Sequence, residues 1–219
     1  MAGKYTKQEL KEKLQSSAYH IVATEGMERC TVRRVSAGCG LSDPYIYQCY
    51  SDLPDLMQSA FMEIDKKIAD CVYDALKHDV LNLITTDDAV KACVLLWRKY
   101  WKFLMDDPEK TIFYWRFYQS SYYTKELHDE RVLNYRYFVK FIAKVGETYD
   151  LTQKIHLNVL VSNLIDNTVS VAVKLHLGFF KKEDIIEKRL FQSVFANLFH
   201  HLGLDVWDVC DLYFESDVI

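Results

Sequence analysis

The side chains in this sequence best suited to grip another molecule are Thr31, Arg33, Ser42, Pro44, Tyr45, Tyr47 and Gln48, all within TVRRVSAGCGLSDPYIYQCY at residues 31–50. An arginine and neighbouring hydroxyls can hold phosphate oxygens, and a glutamine amide can pair with a base edge. This is the chemistry of recognition, and it needs a scaffold of two short helices and a tight turn. Thr31 can cap the first helix, its hydroxyl accepting an orphan backbone N–H. Val32 and Val35 fall on one face. Gly40 sits at the turn, where positive φ favours glycine, and Leu41 plugs it. Ser42 can cap a second helix, with Asp43 at its positive end and Pro44 in its first turn. Ile46 and Tyr50, four apart, point to the core, which leaves Pro44, Tyr45, Tyr47 and Gln48 facing outward. Such a unit has the helix-turn-helix geometry that enters a major groove.

The stretch Leu10–Phe61 resembles the DNA-binding domain of the tetracycline-repressor-like (TetR) family of bacterial transcription regulators. Ala18, Gly26, Thr31-Val32, Val35, Gly40-Leu41-Ser42, Ile46-Tyr47, Tyr50 and Leu56 follow the family pattern in order and spacing. There are departures. Val35-Ser36 stands where the family usually has Ile-Ala, and Cys49 where it has His or Tyr. Leu53 replaces a lysine that reaches a DNA phosphate in relatives. Charge is balanced across residues 1–58. Lys4, Lys7, Lys11, Lys13, Arg29, Arg33 and Arg34 offset Glu9, Glu12, Glu25, Glu28, Asp43, Asp52 and Asp55. Phosphate neutralisation supplies most non-specific DNA affinity, so the expectation is DNA binding with few ion contacts and a shallow salt dependence. Asp43 would repel phosphate, though it could accept from a cytosine amine.

Half of the 219 residues are apolar and the net charge is −4. Met1–Lys13 is polar, so no signal peptide is read there, and no apolar run is long enough to span a membrane. The expected location is cytoplasmic. Six cysteines, at 30, 39, 49, 71, 93 and 210, form no C-x-x-C pair and read as reduced and buried. A thiol sensor built from Cys30, Cys39 and Cys49 is the sharper alternative. Glycine and proline are scarce, and the chain reads as all-α. Helices are expected over Thr6–Glu25, the short pair, Pro54 to near Leu81, Asp87 to Met105, Glu109–Gln119, Lys125–Thr148, Thr152–Leu177 and Lys182–Leu202. The domains are read as residues 1–58, the three-helix helix-turn-helix unit, and 59–219, a larger helical unit for ligand binding and dimerisation.

Leu190, Val194, Leu198 and Phe199 lie on a wide apolar face of the last expected helix, and the helix before it carries Leu164 and Val171 among apolar residues on nearly every side. The resemblance implies that these two helices pair with their copies as a four-helix dimer interface. An entirely intramolecular core is the plainer reading. Aromatic residues crowd the middle of the chain, including Trp97, Tyr100, Trp101, Tyr114, Phe117, Tyr118 and Tyr122. Rings with polar tips suit a small amphipathic or aromatic effector, and they equally fill space between helices. The resemblance favours the effector. Asn163, Asp166, Asn167 and Ser170 share one stripe, and Arg116 could pair with Asp166 or hold an anionic ligand. A hydrogen-bond network at the dimer seam accounts for that stripe as well.

The reading is a ligand-responsive transcriptional regulator, of the repressing kind more usual in the family, binding a pseudo-palindromic double-stranded operator as a homodimer. The alternative is a protein of this fold that has lost specific DNA binding and acts through a protein partner. Leu53, Asp43 and the neutral first domain favour that alternative. Thr31, Arg33, Tyr47 and Gln48 oppose it. No nucleophile–base motif, phosphate loop or H-E-x-x-H supports an enzyme. No cofactor is expected, and His200 and His201 are read as partners of a helix dipole, not as metal ligands.

Overall fold

The computed structural model describes residues 5–76, 85–151 and 156–214, and all regular elements among them are helical. They are α1 (Lys7–Glu25), α2 (Val32–Gly38), α3 (Leu53–Leu76), α4 (Thr86–Asp106), α5 (Pro108–Tyr118), α6 (Lys125–Val132), α7 (Arg136–Thr148), α8 (Leu157–His176), α9 (Glu187–His201) and α10 (Val206–Phe214). A 3-10 helix, Asp43–Gln48, lies between α2 and α3. No helix among the described residues is long and apolar enough to cross a membrane. The expected helix end near Leu81 and helix start at Thr152 lie outside the described residues.

The helices divide into two compact units. The first comprises residues 1–67 and 107–133, so the chain returns to it after α4. Its α1 opens with a capping box: Glu9 N–H donates to the Thr6 hydroxyl at 3.2 Å, and Thr6 N–H donates to the Glu9 carboxylate at 2.6 Å. These bonds hold the Glu9 carboxyl below its usual range. Leu14, Ala18 and Val22 bury one face of α1, and α5 lies along it. Asp107 caps α5 by accepting from the Lys110 N–H at 3.1 Å, with Pro108 at the first helical position.

The first unit also buries a charge that sequence reading missed. The Asp65 side chain on α3 is fully buried. Arg131 Nε donates to its Oδ1 at 2.6 Å, and the Tyr114 hydroxyl donates to the same oxygen at 3.0 Å. Arg131 Nη2 donates to the Tyr114 hydroxyl at 2.9 Å, and Nη1 donates to the Tyr123 hydroxyl at 3.3 Å. Phe61 stacks on Tyr114 beside them, centroids 4.9 Å apart. One carboxylate therefore joins α3, α5 and α6.

The second unit comprises residues 68–106 and 134–219, and α4, α8, α9 and α10 pack together within its described part. At its centre Trp97 stacks on Trp101 at 5.7 Å, meets Phe191 edge-on at 5.3 Å and donates its indole N–H to Thr168 Oγ1 at 3.2 Å. Two expectations fail here. The single helix over Lys125–Thr148 is broken by a 3-10 turn at Leu133–Tyr135, centred on Asn134, a residue of low helix propensity. Helix α10 was not anticipated. The Asp205 carboxylate accepts from Trp207 N–H at 2.7 Å, and Val206, Val209 and Cys210 form its buried face.

Removing Arg131 takes away the cation that bonds the buried Asp65 carboxylate at 2.6 Å. Arg131→Ala is expected to lower unfolding stability by about 3–5 kcal/mol in urea. A loss under about 1 kcal/mol would show that the pair does not secure these helices.

Candidate nucleic-acid interface

The local structure follows from a few contacts. Thr31 caps α2, accepting from Arg34 N–H at 3.3 Å. The Ser17 hydroxyl on α1 donates to the Val35 carbonyl at 2.9 Å. Gly38 lies so close that a Cβ would collide with Ser17 Oγ. Gly40 takes φ 68°, and Leu41 N–H returns to the Ser36 carbonyl at 2.9 Å. The next segment is a 3-10 helix of six residues, where the sequence suggested an α-helix. Tyr45 N–H bonds the Ser42 carbonyl at 3.0 Å and Cys49 N–H bonds the Ile46 carbonyl at 2.9 Å. The Ser42 side chain makes no capping bond, contrary to expectation.

Ile46 and Tyr50 are buried, which turns the other side of the 3-10 helix to solvent. Pro44 and Gln48 are exposed, Tyr47 is 60% exposed and Tyr45 half-buried. Thr31, Arg33 and Ser42 are exposed beside them in sequence. Arg33 makes no ion pair among the described residues, whereas Arg34 Nη2 is bound by Glu25 Oε2 at 2.6 Å. Cys49 Sγ lies 3.8 Å from the Lys7 carbonyl, and Lys11 Nζ lies 5.8 Å from the centre of the Tyr50 ring. These contacts set the first turns of α1, which carry Lys7 and Lys11, beside the 3-10 helix. Sequence reading did not single them out, although Lys7 and Lys11 stand four apart on one helix, which was the available signal.

The expected effector residues fall in both units. Tyr114, Arg116, Phe117, Tyr118 and Tyr122 belong to the first unit, and Trp97, Tyr100, Trp101, Asn163 and Asp166 to the second. Tyr114 and Phe117 are buried in packing, and Tyr114 is bound to Asp65 and Arg131. Arg116 does not pair with Asp166. Its guanidinium donates to the Val22 and Ala23 carbonyls near the end of α1, while Asp166 accepts from Ser162 at 3.4 Å. The polar stripe of α8 faces outward, with Asn163 and Asn167 exposed and Asp166 and Ser170 half-buried, so it does not line an apolar interior.

The expected dimer residues also separate. Leu164, Val171 and Leu190 remain half-exposed. Val194, Leu198 and Phe199 are buried within their own chain. Phe199, at 0% exposure and 5.9 Å from Phe191, has no surface left for a second copy.

This arrangement of helices is the fold of TetR-family transcription regulators. One similar solved structure is a TetR family transcription regulator from Marinobacter aquaeolei VT8, with TM-score 0.69 and 13% identity over 92% of this chain and 95% of that one. A second is the fatty acid degradation regulator FadR from Bacillus halodurans, with TM-score 0.61 and 15% identity over 99% and 98%. A third is a bacterial regulatory protein in the TetR family from Rhodococcus RHA1, with TM-score 0.62 and 14% identity over 89% and 96%. No protein-family model matches the chain, and no curated protein is matched by its sequence. Identities this low establish the fold and leave function to the residues.

The cysteines are free thiols, with Cys30, Cys93 and Cys210 buried. Burial pushes these three up, to about 11, 12 and 11 respectively, and it also raises Cys39 and Cys71. A raised thiol is protonated near neutrality and reacts slowly. Cys30, Cys93 and Cys210 are expected to resist iodoacetamide in the folded protein at about pH 8 and to react once unfolded. Rapid alkylation of native Cys30 would restore the thiol-sensor reading.

Proposed function

We propose that the chain is a ligand-responsive transcriptional regulator, acting as a repressor, that binds a pseudo-palindromic operator as a homodimer. The observation that carries this reading is the exposed face of the 3-10 helix, with Pro44, Tyr47 and Gln48 outward over buried Ile46 and Tyr50. In this reading Tyr47, Thr31 and Arg33 hold phosphates, Gln48 reads a base edge, and Ser42, Pro44 and Tyr45 complete the contact surface. Lys7 and Lys11 add phosphate contacts from α1 and partly make up for Leu53. The dimer uses the accessible residues of α8 and α9, among them Leu164, Val171 and Leu190. Two copies then present two half-sites one turn of DNA apart. Effector binding must favour either the DNA-binding or the released state, since equal affinity for both shifts nothing.

The alternative, an interaction protein that no longer reads DNA, is favoured by two observations. Leu53 is half-buried and uncharged, and Asp43 is exposed at the start of the 3-10 helix. Selection of random duplex DNA by the purified protein at low salt separates the readings. The regulator enriches a palindrome with half-sites about one turn apart. Absence of enrichment from a folded dimer points to a protein partner.

On the selected site, Gln48→Ala is expected to relax preference at one base pair, with a discrimination loss of about 1–3 kcal/mol, while Tyr47→Ala weakens all duplexes alike. Equal loss on every duplex from Gln48→Ala would refute its reading role. Leu164→Glu combined with Leu190→Glu is expected to give monomers by light scattering, and an unchanged dimer would refute this interface.

A further inference from the structure

The second unit contains a cleft of about 610 Å³, within the range of roughly 300–1,000 Å³ typical of small-ligand sites. Of the effector residues expected from the sequence, only Trp101 lines it. One wall is α4, where Arg98, Trp101, Lys102 and Met105 stand at i, i+3, i+4 and i+7 and so share a stripe. That stripe interleaves cations with apolar groups, a pattern unsuited to a packed core. Leu175 of α8 supplies further lining, as do Lys182 and Ile185 from the segment that follows.

Lys99 brings the lining cations to four, against two carboxylates, Asp106 and Glu187, a surplus of two positive charges (4 − 2). Both carboxylates are engaged: Lys102 Nζ lies 2.8 Å from Asp106 Oδ2, and Arg98 Nε lies 3.6 Å from Glu187 Oε1. Lys99 and Lys182 make no ion pair among the described residues. The walls are firmly held. Trp101 is stacked on Trp97, which is itself fixed by Thr168. His176 Nε2 lies 2.9 Å from the Leu104 carbonyl and ties the end of α8 to α4.

We propose that this cleft binds a small amphipathic carboxylic acid. Its carboxylate lies between Lys99 and Lys182, and its apolar body covers Trp101, Met105, Leu175 and Ile185. An apolar body gains from leaving water, and an anion gains from the surplus charge. A neutral ligand forgoes the lysines, and a polyanion meets Asp106 and Glu187. The proposal names the effector class of the regulator reading and rests on that reading only for its consequence at DNA.

The test is calorimetric titration of the full chain with decanoate and, in parallel, with decanol, its neutral counterpart. Saturable binding of decanoate is expected, with decanol about tenfold weaker. The Lys99→Ala/Lys182→Ala double variant is expected to bind decanoate about tenfold more weakly and to melt at the parent temperature. Equal affinity for the two ligands, parent-like affinity in the double variant, or no saturable decanoate binding would each overturn the proposal. The titration contains no DNA, so a chain that selects no operator leaves a positive result standing. A chain that binds an operator and ignores decanoate defeats this proposal alone.

Discussion

The placement of the 3-10 helix and its exposed face depends on one close approach between α1 and α2. Gly38 presents no Cβ, Ser17 fills the space and its hydroxyl takes the Val35 carbonyl at 2.9 Å. A buried hydroxyl that makes this bond satisfies itself and fixes the separation of the two helices. Everything after α2 inherits that placement. The turn at Gly40 starts from the end of α2, and the 3-10 helix starts from the turn. Ile46 and Tyr50 can then reach the core only with Pro44, Tyr47 and Gln48 outward. A larger residue at position 38 would collide with Ser17 and displace α2, and with it the 3-10 helix.

The same α1 is held on its other side by α5. Arg116 donates to two carbonyls near the end of α1, and His20 Nδ1 lies 2.7 Å from Glu109 Oε1. Helix α5 is fixed in turn through Tyr114, Asp65 and Arg131 to α3 and α6. The exposed His20–Glu109 pair contributes little by itself. The buried Asp65 cluster is different, because each of its members desolvates the others and removing one leaves charge uncompensated. The first unit is therefore built as a head of short helices braced by two helices from later in the chain.

Much of this was legible in the sequence wherever local rules decide. Thr31, Gly40, Asp107-Pro108 and the buried pair Ile46 and Tyr50 follow from capping, positive φ and helical spacing. The helical fold followed from the scarcity of glycine and proline. What local rules could not give was the return of α5 and α6 to the first unit, since that is a long-range packing choice. Asp65 did leave a trace: an acid four residues after Phe61, between Ile64 and Ile68, on the apolar face of a helix. Its partner Arg131 lies 66 residues away, and nothing local links them. The division of the aromatic run has the same origin. One dense run in sequence is shared between two units, and Tyr114 and Phe117 are buried in the first.

Under the proposed regulator reading, a charge-balanced first domain would draw its selectivity from base contacts and shape more than from phosphate neutralisation. The most direct test is the ratio of affinities for the selected duplex and for a random duplex of equal length, followed across salt concentration. A ratio of about a thousand or more that persists as salt rises is expected, with each affinity falling only shallowly. A ratio near one at every salt concentration would contradict it and leave the exposed face of the 3-10 helix to a protein partner.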